Sequence, residues 1–219
     1  MKTIIFSPYA TVVPHFETEL EIAQWHLDRG DQVQLVACWG ELANCDFNPI
    51  RDPERCRACM GRREMGLAQL SPTIERLSFD SLSITSPAAA NPTGNSASFD
   101  RRWEDWLKDI SCDSVEELKA LRIDNFDIGY AVLSSLVSHC RDPQPDLQRS
   151  RSLMLEFFRS AWVAYWATRN YLQKHRPDRC YVFNGRFAAM RGVFRAAEAE
   201  GIDCYLHERG CDLDHFSLR

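Results

Sequence analysis

Residues 179–210, RCYVFNGRFAAMRGVFRAAEAEGIDCYLHERG, constrain the fold more than any other stretch. A short apolar run at 180–183 ends in Asn184-Gly185-Arg186. A segment of helical period follows, with Met190, Val193, Phe194 and Ala197 at i, i+3, i+4 and i+7. Gly201 closes it, and a second apolar run at 204–206 leads into His207-Glu208-Arg209-Gly210. Strand, helix, strand in that order is a parallel crossover unit, expected to be right-handed. Ligands of such sheets bind at the carboxyl ends of the strands. Both strands here exit into polar and ionisable residues.

The chain opens with a matching unit. Residues 3–7 read as a buried strand. Pro14 suits the first turn of a helix, and Phe16, Leu20, Ala23 and Leu27 recur at i, i+4, i+7 and i+11. Gly30 ends that helix as a left-handed cap, and residues 33–38 form a second strand. Residues 39–72 break the pattern with prolines, glycines and cysteines, leaving 62–70 as a short helix. Residues 79–84 alternate apolar and polar and are expected to be a third strand. Residues 85–98 read as a surface loop. Beyond 101 the chain turns helical: Ser114 and Glu117 form a capping box, a helix covers 128–140, and the longest runs over 150–174 until Pro177. The expected fold is therefore α/β, a Rossmann-like, doubly wound, mostly parallel sheet in a single domain over 1–219, with a helical insert at about 100–176. The short tail after His207 carries no clear helix. The chain is therefore expected to be the N-terminal half of a two-domain enzyme or a stand-alone copy of one.

Composition narrows the function. The net charge is -5 with acids and bases interspersed, which argues against a general nucleic-acid binder. A few arginines can still hold a small anion. The first residues are too short a run for a signal-peptide core, and no run reaches the ~18 apolar residues of a membrane span. A cytoplasmic location is expected, with association at the inner membrane surface left open. No glycine-rich dinucleotide or P-loop motif, nucleophile-elbow pentapeptide or HExxH occurs.

Two constellations carry chemistry. The first is the set of strand exits, with Ser7-Pro8-Tyr9, Trp39-Gly40-Glu41, Asn184-Gly185-Arg186 and His207-Glu208-Arg209 on one sheet edge and His15 at the start of the first helix beside them. Glu208, His15 and His207 are candidate bases, because burial tunes each type. Asn184, Gly185, Arg186, Arg209 and Tyr9 are candidate binding residues. The bland alternatives are a turn at 184–186 and a local ion-pair cluster at 207–209. The second constellation is Cys38, Cys45, Cys56 and Cys59, four of nine cysteines. The Cys56-x-x-Cys59 knuckle lets two thiolates reach one zinc. An iron–sulfur cluster, a redox thiol pair and inert thiols are the alternatives.

Phe183-Asn184-Gly185-Arg186 and His207-Glu208-Arg209-Gly210, one helix apart, resemble the N-terminal half of bacterial capsule or surface-polysaccharide glycosyltransferases of the two-domain B-type fold. Phe6-Ser7-Pro8-Tyr9 with Pro14-His15, Cys45 with Cys56-x-x-Cys59, and Asp127-Ile128-Gly129 are similar to that group as well. The resemblance implies an acceptor-binding domain that passes a sugar from a nucleotide donor to a glycan hydroxyl. Glu208 or His15 would take the proton and Arg186 and Arg209 would hold phosphates. No metal would be needed at the reaction centre, and a C-terminal or separate transferase domain would complete the site. The alternative is a non-catalytic metal- or redox-responsive module partnering a separate transferase.

Overall fold

The computed structural model describes residues 1–84, 103–108, 110, 112–212 and 215–219. The loop expected at 85–98 lies outside them. Five strands are parallel: β1 (Lys2–Ser7), β2 (Gln32–Ala37), β3 (Glu75–Ser78), β4 (Arg179–Phe183) and β5 (Asp203–Arg209). A sixth, β6 (Phe216–Leu218), runs antiparallel to β5. Their order is β3-β2-β1-β4-β5-β6. The chain winds outward from β1 through β2 to β3, then returns to the other side of β1 with β4. The crevice between the carboxyl ends of β1 and β4 is thus the topological switch point, where open α/β sheets bind ligands. This is the doubly wound α/β architecture expected.

Helices α1 (His15–Asp28) and α2 (Pro53–Leu67) cover one face, where Ile5, Ala23, Leu35, Leu67 and Tyr181 are packed together. The other face is covered by α3 (Phe79–Ile84), α6 (Arg151–His175) and α7 (Ala188–Ala199), with Phe6, Phe79, Leu172, Val182 and Met190 in the core. A second core joins α4 (Val115–Ala120) and α5 (Ile128–Cys140) to the outer side of α6 and α7, through Phe126, Phe157, Phe158 and Tyr165. Helices α6 and α7 approach closely because residue 192 is glycine: a Cβ there would lie 2.8 Å from the Ala161 carbonyl oxygen.

Several local expectations are corrected. Residues 79–84 are a helix, not a strand. Phe79 and Leu82, at i and i+3, are both fully buried on one side. Ser78 and Ser81 exchange side-chain to backbone hydrogen bonds that start the helix, and the strand falls just before, at β3. Helix α2 begins nine residues earlier than the short helix expected at 62, because Asp52 caps Glu54 N and Pro53 sits at the first position. The tail after His207 returns as β6, pairing Glu208 with Ser217. Among the described residues no helix is long and apolar enough to cross a membrane.

Candidate active site

The carboxyl edge of β1, β4 and β5 carries a lateral row of residues. Pairing runs through Phe6 and Val182 between β1 and β4, and through Phe183 and His207 between β4 and β5. Ser7, Phe183 and His207 therefore stand side by side. Side chains alternate along a strand, so Ser7 follows Ile5, and His207 follows Tyr205, onto the α1 side. Helix α1 begins over this row. The His15 ring lies 3.8 Å from that of Phe183 and 6.5 Å from that of His207, centroid to centroid. One turn further on, Glu19 Oε1 is 3.3 Å from His207 Nε2, within ion-pair reach but out of line for a hydrogen bond.

This cluster is buried and under-satisfied. Ser7 and His207 are 0% exposed and Glu19 is 2% exposed. Ser7 Oγ, His15 Nδ1, Glu19 Oε2 and both His207 ring nitrogens have no hydrogen-bond partner. Buried polar atoms are nearly always paired, and each unpaired one costs about 1–3 kcal/mol. Burial, then His207 and Arg209, pushes His15 down to about 4. Its imidazole is neutral at neutral pH and can accept a proton. In contrast, the Ser7 backbone is satisfied: Arg63, itself 0% exposed, donates from Nη2 to the carbonyls of Ser7 (3.3 Å) and Pro8 (3.0 Å), and from Nη1 to that of Cys38 (2.6 Å).

The other expected residues divide between separate places. Glu208 is half-buried and points to the opposite sheet face, with Cys204 and Leu206. Arg209 is exposed on the His207 side. Asn184 and Gly185 both have positive φ, 42° and 65°, and the Asn184 carboxamide oxygen accepts from Arg186 N at 3.0 Å. They form a tight turn from β4 toward α7, and a Cβ on residue 185 would meet Leu206 at 2.9 Å. Arg186 is exposed, with its guanidinium 4.4 Å over the Phe187 ring. Tyr9 is buried and donates to Asp46 Oδ2 at 2.7 Å. Burial, then Asp46, holds its hydroxyl well above its ordinary pKa. The structure thus brings His15 and His207 together and leaves Glu208, Arg186 and Tyr9 elsewhere.

On the far side of the Pro8–Tyr9 turn lies a cavity of about 640 Å³, between the exits of β1 and β2, the 39–52 loop and the start of α2. All four cysteines of the expected metal set line it, and all are free thiols. Burial raises Cys38 and pushes Cys45 up to about 12. Among the described residues, the metal-binding type of cluster whose ligand atoms lie within 4.8 Å of one another is Cys211, Asp212 and His215, all exposed. The 39–52 loop is held by Asn44, whose backbone N donates to Ser160 Oγ at 2.7 Å and whose Nδ2 donates to Glu156 Oε2 at 2.5 Å.

No protein-family model matches this chain, and no curated protein matches it. Two solved structures are similar in shape. A CDPS, or cyclodipeptide synthase, from Fluoribacter dumoffii is 12% identical; the match covers 100% of this chain and 90% of that one, with a TM-score of 0.51. Leishmania major tyrosyl-tRNA synthetase in complex with tyrosinol is 12% identical, with a TM-score of 0.47 over 95% of this chain. This chain spans 26% of the synthetase. At such identities the likeness to the synthase is one of fold.

The likeness to the synthase corrects the reading drawn from the NGR and HERG motifs. That structure is not a glycosyltransferase. The capsule-polysaccharide assignment therefore falls, and with it the glycan acceptor, the nucleotide sugar, the transferase partner, the exclusion of nucleic acid and the alternative of a non-catalytic module. The physical reason is visible at both motifs. Asn184-Gly185 is a backbone turn, and His207 and Glu208 face opposite sides of the sheet. Short motifs at strand ends repeat wherever a strand must turn into a helix, whatever the chemistry.

Four side chains that the structure buries around these two places were not candidates in the sequence: Ser7 as a reactive group, Glu19, Arg63 and Asp46. Glu19 had a signal, since it follows His15 by four residues and so shares its helix face. Arg63 had none, because arginine on a polar helix reads as solvent-facing.

Proposed function

We propose that this chain is an acyl-transfer enzyme whose nucleophile is Ser7. The observation that carries the reading is the row of unpartnered buried polar atoms at the switch point: Ser7 Oγ, His15 Nδ1, Glu19 Oε2 and the His207 nitrogens. Hydroxyl, imidazole and carboxylate are the parts of a nucleophile, base and supporting acid. Ser7 Oγ attacks the carbonyl carbon of an activated acyl group. His15, neutral at neutral pH, takes the hydroxyl proton as the new C–O bond forms and returns it to the leaving group as the old ester bond breaks. Glu19 lies against His207, whose ring faces that of His15. An amine then attacks the acyl-serine: its N–C bond forms as the Ser7 Oγ–C bond breaks, and His15 carries the amine proton to Ser7 Oγ, leaving an amide and the free hydroxyl. Ser7 is closed off, so substrate enters by displacing the 8–14 loop, where Thr11 and Val13 are exposed.

The name of the structural neighbour, a cyclodipeptide synthase, supports amide formation and makes an activated amino acid the first acyl group to test. The full chain is incubated with transfer RNA charged with labelled amino acids, and its intact mass is measured after rapid quenching. An aminoacyl adduct on Ser7 is expected, together with cyclic dipeptides in the reaction. Ser7→Ala should abolish the adduct and slow product formation by about 10³-fold or more. Product formed by Ser7→Ala at the wild-type rate, or no adduct and no product with any charged transfer RNA, would overturn the assignment.

A further inference from the structure

The cavity beyond the Pro8–Tyr9 turn has no part in the acyl-transfer reading, yet it is built with unusual care. Four thiols face it from three directions. Cys38 follows the end of β2, Cys45 lies in the loop, and Cys56 and Cys59 sit at i and i+3 on the first turns of α2, hence on one helix face. Three of these four sulfurs accept hydrogen bonds from nitrogen. Cys38 Sγ accepts from the backbone of Gly40 at 3.3 Å. Cys56 accepts from Asn48 Nδ2 at 3.2 Å, and Cys59 from Ala10 N at 3.3 Å and Arg63 Nη2 at 3.7 Å. A neutral thiol is a weak acceptor. Without a metal, burial keeps Cys38 and Cys45 as thiols, and the donors on three of the four sulfurs suit thiolates bound to metal, as hydrogen bonding of the sulfurs in metal–sulfur sites does.

Charge points the same way. Arg63 is fully buried; its hydrogen-bond partners are three carbonyls and Cys59 Sγ, and its guanidinium lies 5.2 Å from the centre of the Trp39 ring. Among the described residues no carboxylate lies within ion-pair reach of it, and its Nε has no partner. A buried guanidinium without a counter-charge is costly by several kcal/mol. The amino end of α2, with its positive dipole, opens onto the same cavity, as does Arg51; Arg55 and Arg57 also line it, paired with Asp52 at 3.9 Å and Glu54 at 3.5 Å. The site is electropositive and asks for an anionic occupant held by sulfur.

Size separates the two sulfur-loving occupants. One zinc with sulfur at about 2.3 Å places its four thiolates roughly 3.8 Å apart. No three of these four sulfurs lie within 4.8 Å of one another, and the cavity between them is about 640 Å³. Ligands that converge on separate metal atoms of a cluster stand further apart than ligands on one ion. We propose that Cys38, Cys45, Cys56 and Cys59 hold an iron–sulfur cluster, with Arg63 as its buried counter-charge. The four thiolates outweigh the positive core, so the assembled cluster is the anion the cavity lacks.

The test is made on the full chain, expressed and purified without oxygen. Iron and acid-labile sulfide should be present in equal amounts, with a broad visible absorption that bleaches on exposure to air. Cys56→Ser with Cys59→Ser should lose the iron and sulfide while the circular dichroism spectrum keeps its helix and strand content. Should that variant fail to fold, Mössbauer spectra of the iron-57 wild-type protein decide. Iron in tetrahedral sulfur coordination supports the site, and iron bound by oxygen and nitrogen alone overturns it. Stoichiometric zinc without iron would overturn the proposal. So would a folded wild-type chain that takes up no cluster when iron and sulfide are supplied anaerobically.

Discussion

His15 offers a test of the switch-point cluster that needs no substrate. Its pKa is pushed from 6.5 to about 4, by burial first and then by His207 and Arg209, with Glu17 opposing. Glu19 is the remaining charged group in the cluster, against His207. The unfolded chain takes up a proton near pH 6.5, whereas the folded chain resists until about pH 4. Between these values the unfolded state binds more protons, so stability falls as the pH is lowered through the window and is fully present above it. At 1.36 kcal/mol per pH unit, the whole gap is worth about 3.4 kcal/mol as a ceiling. His15 is only half-buried, and solvent screens its repulsion from His207 and Arg209. A discounted loss of roughly 1–2 kcal/mol is expected, or about 2–8 °C in Tm for a chain of this size. Urea unfolding followed by circular dichroism at pH 7, 6, 5 and 4.5 measures it. His15→Gln, which removes the titrating ring, should flatten the curve by that amount over this range. If the wild type and His15→Gln lose stability in parallel, or if the His15 ring protons titrate near pH 6.5 by NMR, the burial and the repulsion read from the structure are wrong. The proposed role of His15 as a neutral base would fall with them.

Three further perturbations have expected outcomes. Asp127 pairs with Arg191 at 2.5 Å and Arg195 at 2.9 Å, joining α5 to α7. Burial alone would raise its carboxyl, but the two arginines outweigh burial and hold it well below its ordinary value. Its contribution is therefore present above about pH 4 and lost as the pH falls further, and Asp127→Asn should cost about 2–3 kcal/mol in urea unfolding at pH 7. A Cβ on residue 129 would lie 1.7 Å from the Leu118 carbonyl oxygen, so Gly129→Ala must push α4 off α5 and should cost about 3 kcal/mol, and a Tm within two or three degrees of the wild type would refute this packing. Asn44→Ala removes the side-chain bonds to Glu156, Pro49 and Cys45; the 39–52 amides should exchange with solvent at least ~10-fold faster, while those of β1 and β4 stay protected.

The fold was legible because periodicity reports burial. Residues 128–140 and the capping box at Ser114 and Glu117 appear as read, and both crossover units appear with the expected order of strand and helix. Helix α1 shows where that signal stops. An apolar stripe through Phe16, Leu20, Ala23 and Leu27 is what hydrophobicity predicts. The buried stripe actually runs through Phe16, Glu19, Ile22, Ala23 and His26. The helix is rotated toward its polar residues because they have partners across the chain: His26 meets Asp31 at 2.7 Å and the Tyr181 hydroxyl at 3.1 Å, and Glu19 meets His207. Those contacts span up to 188 residues of chain, from 19 to 207, and no local pattern encodes them. The same blindness hid α2 as a site element. PERCRACMGRREMGL looks like a solvated helix, yet it carries two cysteines of the cavity and the buried Arg63.

Arg63 joins the two proposed sites at one strand end. Where β1 and β2 run out of neighbours, the carbonyls of Ser7, Pro8 and Cys38 lose their ladder partners, and a buried carbonyl must find another donor. A backbone cap would place more chain over the exit and close it. A guanidinium reaching in from α2 satisfies all three carbonyls from one side. It leaves the Ser7 hydroxyl without a bond on the α1 side and touches Cys59 Sγ on the other. The same charge that fixes the Ser7 backbone is thus the charge that the cysteine cavity must balance. Filling that cavity with an anionic cluster would hold Arg63 in place, and Arg63 in turn holds the turn that carries Ser7. Loss of the cluster should therefore disturb the acyl-transfer row through the backbone of residues 7 and 8, although none of the four cysteines belongs to that row.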